Sequence, residues 1–323
     1  MILDIVWLIV GLVLILGGAN ALTDGSAAIA RRMGISDLVV GLTVVAFGTS
    51  APELVISLLG AIDGHTELAI GNVVGSNIFN VFVIIGVTAL VRPISIGRSV
   101  MTMEIPMMVL SAVLLLLLGN SASLSATGVN EVTRLSGIFL LIFFLLFMRY
   151  TFATARSGAP TDEDAPTDRQ PPMAIVRSVV YIILGLAALI WGGDRFVAGA
   201  SAIAISLGIS EAVVGLTIVA AGTSLPELAT SIVAAVKGKP GLAVGNVIGS
   251  NIFNVLMVLG VSATVSPLPF GSIGNFDLLT LLGGSLAFWL FGWIIRYRTI
   301  TRLEGGLLTA AYIAYTAILL ARA

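Results

Sequence analysis

Gly41-Leu42-Thr43-Val44-Val45-Ala46-Phe47-Gly48-Thr49-Ser50-Ala51-Pro52-Glu53-Leu54 recurs 174 residues later as Gly215-Leu216-Thr217-Ile218-Val219-Ala220-Ala221-Gly222-Thr223-Ser224-Leu225-Pro226-Glu227-Leu228. At the same offset, Gly71-Asn72-Val73-Val74-Gly75-Ser76-Asn77-Ile78-Phe79-Asn80-Val81 recurs as Gly245-Asn246-Val247-Ile248-Gly249-Ser250-Asn251-Ile252-Phe253-Asn254-Val255. Between 41–86 and 215–260, 27 of 46 positions are identical, which chance does not supply, so the chain holds two copies of one unit. The echo extends outward. Met33-Gly34-Ile35-Ser36 matches Leu207-Gly208-Ile209-Ser210, and Thr133-Arg134-Leu135-Ser136-Gly137 matches Thr301-Arg302-Leu303-Glu304-Gly305 at an offset of 168.

The medium follows from composition. Of 323 residues, 58% are hydrophobic and 10% charged, and the mean hydropathy is +1.09; soluble domains carry about 25% charged residues. Leu68–Val91 and Ile105–Asn130 contain no charged side chain, and about 20 apolar residues cross a bilayer core. Helices are expected near 3–31, 37–62, 66–91, 99–119 and 131–154 in the first copy, and near 173–205, 211–236, 240–266, 275–296 and 303–321 in the second. The start, Met1-Ile2-Leu3-Asp4, lacks the basic region of a cleavable leader, so the first helix is expected to stay. The predicted fold is therefore an all-α polytopic membrane protein of ten transmembrane helices. Its expected units are 1–154, a linker 155–172 rich in Pro, Ser and acidic residues, and 173–323.

Five spans per copy is an odd number, so the second copy must enter the membrane from the opposite side, as an inverted repeat. The basic residues agree. With the N-terminus outside, 13 of the 16 Lys and Arg fall at inner ends or loops, which puts both termini outside and 155–172 in the cytoplasm. There is no cysteine, so thiolate metal sites and disulfides are excluded; the lone His65 lies in a polar connector, where a surface role is expected. A net charge of −1 without a basic stripe gives no indication of nucleic acid, and no obligatory protein partner is evident.

Each copy interrupts an apolar span with Gly-Thr-Ser-x-Pro-Glu, at 48–53 and 222–227. Proline removes a backbone donor and crowds the preceding turn, so a break is expected there, with freed carbonyls able to face a cation. Glu53 and Glu227 stand well inside their spans, where a charge costs about 2.5–3.5 kcal/mol on insertion scales; an acid at such depth points to function. Thr49, Glu53 and Ser57 share one helical face, as do Thr223, Glu227 and Ser231; the next spans add Asn72, Ser76 and Asn80, and Asn246, Ser250 and Asn254. Folding the copies around a pseudo-two-fold axis would gather these stripes into an oxygen cage. For Gly71, Gly75, Gly245 and Gly249 the expected role is close helix packing instead. Asp24, Glu104, Asp194 and Arg195 lack matched charged partners in the other copy, so local pairing or placement near an interface is expected for them. Oxygen donors without His or Cys suit hard cations, and calcium, with its flexible shell of about six to eight oxygens, fits better than magnesium.

These repeated motifs resemble those of the calcium/cation antiporter superfamily, in particular the prokaryotic sodium/calcium exchangers, over nearly the whole chain. The resemblance implies sodium/calcium antiport by alternating access in an inner (plasma) membrane, with Ca²⁺ and Na⁺ transported and no cofactor. It also implies a ligand set of Thr49, Ser50, Glu53, Ser76, Asn80, Thr223, Ser224, Glu227, Ser250 and Asn254, with backbone carbonyls of Ala46 and Ala220. Asn254 stands where some relatives carry aspartate, which removes one potential charge. On the residues alone, a calcium/proton exchanger is the nearest alternative and a passive cation channel a more distant one. An intramembrane hydrolase is disfavoured, because no histidine lies within a span and no nucleophile and base pair up.

Overall fold

A chain with this many apolar residues buries its backbone polar groups by forming helices, and the computed structural model is helical almost throughout the residues it describes, 2–125, 128–156, 173–208, 214, 218 and 220–322. In the first copy these are α1 (Ile2–Met33), α2 (Asp37–Thr49), α3 (Ala51–Ile62), α4 (Thr66–Val91), α5 (Val100–Leu118) and α6 (Arg134–Arg156). The second contributes α7 (Ile175–Ser206), α8 (Leu225–Val236), α9 (Pro240–Val265), α10 (Asn275–Ile294) and α11 (Arg302–Arg322). Among the described residues, eight helices are long and apolar enough to cross a membrane, or nine when α2 and α3 count as one bent span. The expected helix 211–236 is seen as α8 and the short helix Ala220–Gly222; residues 209–213, 215–217 and 219 lie outside the described ones, as do linker residues 157–172.

Helix ends follow local chemistry. Gly34 closes α1 at a φ of +65°, a conformation that costs glycine little, and Ser36 caps α2 by accepting Val39 N–H at 3.3 Å. The four short strands were not expected. β1 (Ile94–Ser95) pairs with β4 (Thr299–Ile300), and β2 (Glu131–Val132) with β3 (Leu268–Pro269), both antiparallel. Glu131 and Val132, expected at the start of a helix, are thus extended, because the carbonyl and N–H groups just outside the span find partners in the other copy. Each ladder joins the segment after α4 or α9 of one copy to the segment before α11 or α6 of the other.

Burial separates a centre from a rim. The apolar windows of α4 and α9 are 78% and 94% buried, against 22% for α1 and 17% for α6 and α11. Their Gly, Ser and Asn side chains are small enough for close approach. A Cβ on Gly245 would fall 2.6 Å from Leu38 O, and one on Gly249 would fall 2.7 Å from Ala46 Cβ, so α9 lies directly on α2. The equivalent glycines of α4 behave differently: Gly71 meets only Ile273 at 3.7 Å, and Gly75 meets nothing within 4 Å. Close packing is therefore realised at only half of the expected positions.

The two first helices lie along one another. A Cβ on Gly11 would touch Gly192 O at 2.6 Å, on Gly18 Gly185 O at 2.7 Å, on Gly25 Ser178 O at 2.7 Å, and on Gly199 Asp4 O at 2.6 Å. As numbers rise along α1 they fall along α7, so these equivalent helices run antiparallel. At the end of the bundle where β1 meets β4, the α8–α9 connector is tied down by Lys237 to Asp24 (2.7 Å), Lys239 to Asp37 (3.6 Å) and Arg92 Nη1 to Val236 O (2.8 Å).

Candidate cation site

The expected breaks are present and alike. Ser50 leaves the helical region at φ −86°, ψ 7°, and Ser224 at φ −92°, ψ 5°. The axes of α2 and α3 differ by 46°. Pro52 and Pro226 occupy the first turn of the half-helix that follows, where a missing N–H costs nothing. Glu53 and Glu227 sit in those same first turns, near free N–H groups and the positive end of the helix dipole, which favours a carboxylate there.

Both glutamates are 1% exposed. Ser50 Oγ donates to Glu227 Oε1 at 3.2 Å, so the break in one copy touches the carboxylate of the other. Glu53 is flanked by Thr223 of the second copy and by Ser76. The Thr49 hydroxyl lies 3.1 Å from Asn246 Oδ1 and 3.4 Å from Ala46 O. Among the described residues, several buried oxygens have no hydrogen-bond partner: Glu53 Oε2, Glu227 Oε2, Asn80 Oδ1, Asn254 Oδ1, and the hydroxyls of Thr223, Ser224 and Ser250. These seven belong to the ligand set that the resemblance implies; nine other buried oxygens, among them those of Thr23, Thr88 and Glu304, also lack a partner. A buried acceptor without a donor costs about 1–3 kcal/mol, and a cation relieves that cost for several oxygens together. The donor set of carboxylate, amide and hydroxyl oxygens is that of a hard cation.

Asn80 and Asn254 share a backbone feature that the sequence does not signal. Each begins a π-helical turn, Asn80–Ile84 and Asn254–Val258, within an otherwise α-helical span. The extra residue in such a turn rotates the following face of the helix, and these turns recur at functional sites.

Other expected residues are placed differently. The Ala46 carbonyl accepts Ser50 N–H at 3.0 Å, so it keeps one lone-pair direction rather than being wholly freed. Ala220 opens the short helix before the second break. Asn72 donates to Ser57 Oγ (3.1 Å) and Glu53 O (3.3 Å), and Asn246 donates to Ser231 Oγ (3.0 Å) and Glu227 O (3.2 Å). These four side chains fasten each broken helix to the next span. Asn77 and Asn251, which the stripe reading passed over, bond across the copies: Asn80 Nδ2 donates to Asn251 Oδ1 and Asn254 Nδ2 to Asn77 Oδ1, both at 3.0 Å. Their presence inside the recurring motif was the available signal.

Away from the site, Asp194 pairs with Arg195 (3.1 Å) and Asp24 with Lys237, as local pairing anticipates, and His65 is exposed. Glu104 is 2% exposed and accepts from Tyr150 Oη of a neighbouring helix at 3.4 Å.

A model of the sodium/calcium exchanger protein family matches residues 3–153 and 177–321, both copies almost in full. The chain belongs to this family. The exchanger is 38% identical to the putative antiporter CaxA of Alkalimonas amylolytica, with 99% of each chain covered. It is 32% identical to the sodium/calcium exchanger MaX1 of Methanosarcina acetivorans, with 97% of each covered. Its fold is similar to that of the sodium-calcium exchanger NCX_Mj, with a TM-score of 0.82 at 33% identity over 98% of this chain and 99% of that one.

Proposed function

We propose that this exchanger carries Ca²⁺ in one direction and Na⁺ in the other across a membrane, by alternating access at the Glu53–Glu227 site. The observation that carries this reading is that the break of the first copy touches the buried carboxylate of the second, Ser50 Oγ to Glu227 Oε1, while one oxygen of each buried glutamate lacks a hydrogen-bond donor among the described residues. Family membership and the likeness to proteins named as sodium/calcium exchangers support the choice of ions.

The mechanism follows from charge. Two ionised carboxylates in a low-dielectric site repel each other and lack solvent. One Ca²⁺ neutralises them, and several Na⁺ do so nearly as well, so the two ions compete for the same oxygens. The ion-free site leaves both charges exposed to each other, which disfavours its passage between the two faces. Coupling results, because the site crosses when loaded and resists crossing when empty. The residues proposed to hold the ions are Thr49, Ser50, Glu53, Ser76, Asn80, Thr223, Ser224, Glu227, Ser250 and Asn254, with the carbonyls of Ala46 and Ala220.

The proposed architecture is ten spans in two inverted five-helix units, 1–154 and 173–323, joined by a cytoplasmic linker 155–172, with both termini outside an inner membrane. Antiparallel α1 and α7 support the inversion, as do the two strand ladders that exchange equivalent segments. The loose surroundings of Gly75 against the tight seat of Gly249 support a site closed on one side only. The test is calcium uptake by the purified protein in liposomes under imposed sodium, proton and potassium gradients. Uptake driven by an outward sodium gradient alone is expected; uptake driven only by protons would reject sodium coupling.

A further inference from the structure

We infer that Asn77 and Asn251 are positioning residues for ion binding, each turning the amide of a ligand in the opposite copy so that its oxygen, not its nitrogen, faces the cation. This rests on the cation site proposed above and assigns a role to two residues outside it.

An asparagine amide has a donor end and an acceptor end of nearly equal size, and only the acceptor end can ligate a cation. Nothing in the shape of Asn80 or Asn254 chooses between them. The choice is made across the interface between copies. Asn80 Nδ2 donates to Asn251 Oδ1, and Asn254 Nδ2 donates to Asn77 Oδ1, each at 3.0 Å. The other ends, Asn80 Oδ1 and Asn254 Oδ1, are buried and have no hydrogen-bond partner among the described residues. Turning either ligand over would set two carbonyl oxygens against each other and point an N–H₂ group at a cation. All four side chains are 1% exposed, so water does not substitute for the missing partner.

The positioning residues are themselves held. Asn77 Nδ2 donates to Asn251 O at 3.2 Å, which fixes Asn77 Oδ1 toward Asn254. Asn251 Nδ2 meets Met108 Sδ at 3.5 Å, a weaker acceptor, so Asn251 is held less firmly. The pattern also explains a neutral residue at position 254. An aspartate in place of Asn254 would present an oxygen to Asn77 Oδ1, and relieving that repulsion by turning Asn77 would break its bond to the Asn251 carbonyl. An amide at 254 and an acceptor at 77 therefore form one unit.

The experiment is sodium-driven calcium uptake by the full chain in liposomes, with KM and maximal rate expressed per folded, correctly inserted molecule. Asn77→Ala is expected to raise the calcium KM about tenfold while the maximal rate stays within about twofold of the parent. In an Asn254→Ala background, where no amide remains to be turned, Asn77→Ala should change KM by less than about twofold, because the two residues act as one unit. Asn251→Ala with Asn80→Ala gives the second, independent cycle, and it decides the matter alone if Asn77→Ala does not fold. Parent-like KM in Asn77→Ala and Asn251→Ala, with or without loss of folded protein, would overturn the inference, as would additive effects in either cycle. Glu53→Gln separates the two levels: if it abolishes exchange while both alanine variants keep the parent KM, the site stands and the positioning role falls. If Glu53→Gln exchanges normally, the site itself fails.

Discussion

Ser50 Oγ lies 3.2 Å from Glu227 Oε1 and donates to it, a contact between residues 177 positions apart in the chain. The equivalent hydroxyl of the second copy, Ser224 Oγ, has no hydrogen-bond partner among the described residues. The two copies are thus alike in sequence at this point and unlike in contact, as expected of a carrier whose two faces take turns in closing.

Removing the Ser50 hydroxyl deletes both a proposed ligand and a charge-assisted hydrogen bond, an interaction of about 1.5–3 kcal/mol. Ser50→Ala should raise the calcium KM by about ten- to a hundredfold. Initial rates of sodium-driven uptake over a range of calcium concentrations measure this, and a KM equal to the parent's would contradict the placement of Ser50 in the site.

Gly249 and Gly75 occupy equivalent places, yet a Cβ on Gly249 would stand 2.7 Å from Ala46 Cβ and 2.9 Å from Leu42 backbone atoms, while one on Gly75 meets nothing within 4 Å. Gly249→Ala should destabilise the present arrangement by about 1–3 kcal/mol, the usual cost of overpacking. Gly75→Ala should fold as well as the parent and exchange more slowly, because Gly75 takes the tight seat only when the opposite face closes. Thermal melting in detergent together with uptake rate checks both; equal behaviour of the two variants would count against a one-sided closure.

How much of this the sequence carried differs from residue to residue. Glu53 and Glu227 were legible because a charge inside an apolar span is costly, and one that occurs twice in equivalent places is not an accident. The break between Thr49 and Ala51 was legible from Gly48 and Pro52. The π-helical turns at Asn80 and Asn254 were not, since they depend on which carbonyl each N–H selects, and that is decided by packing of α4 and α9 against their neighbours. Asn77 and Asn251 went unassigned because an amide's orientation is set by its partner in the other copy, beyond any local pattern. The strands escaped for a simpler reason: two-residue ladders leave no periodicity to read.

The topology has its own test, helped by the absence of cysteine. A cysteine introduced at Ser157, in the proposed cytoplasmic linker, should react with an impermeant maleimide only after sealed cells are opened. One introduced at exposed His65 should react from outside. The reverse pattern would invert the proposed orientation while leaving the site intact.

The central claim is that Glu53 and Glu227, one from each copy, share the transported ions. Glutamine keeps the size and one oxygen of glutamate and removes the charge that compensates calcium for its lost water. The most direct measurement is sodium-driven calcium flux per folded molecule for Glu53→Gln and for Glu227→Gln in liposomes. The account predicts that each variant inserts and folds yet loses nearly all exchange; parent-like rate and affinity in both would contradict it.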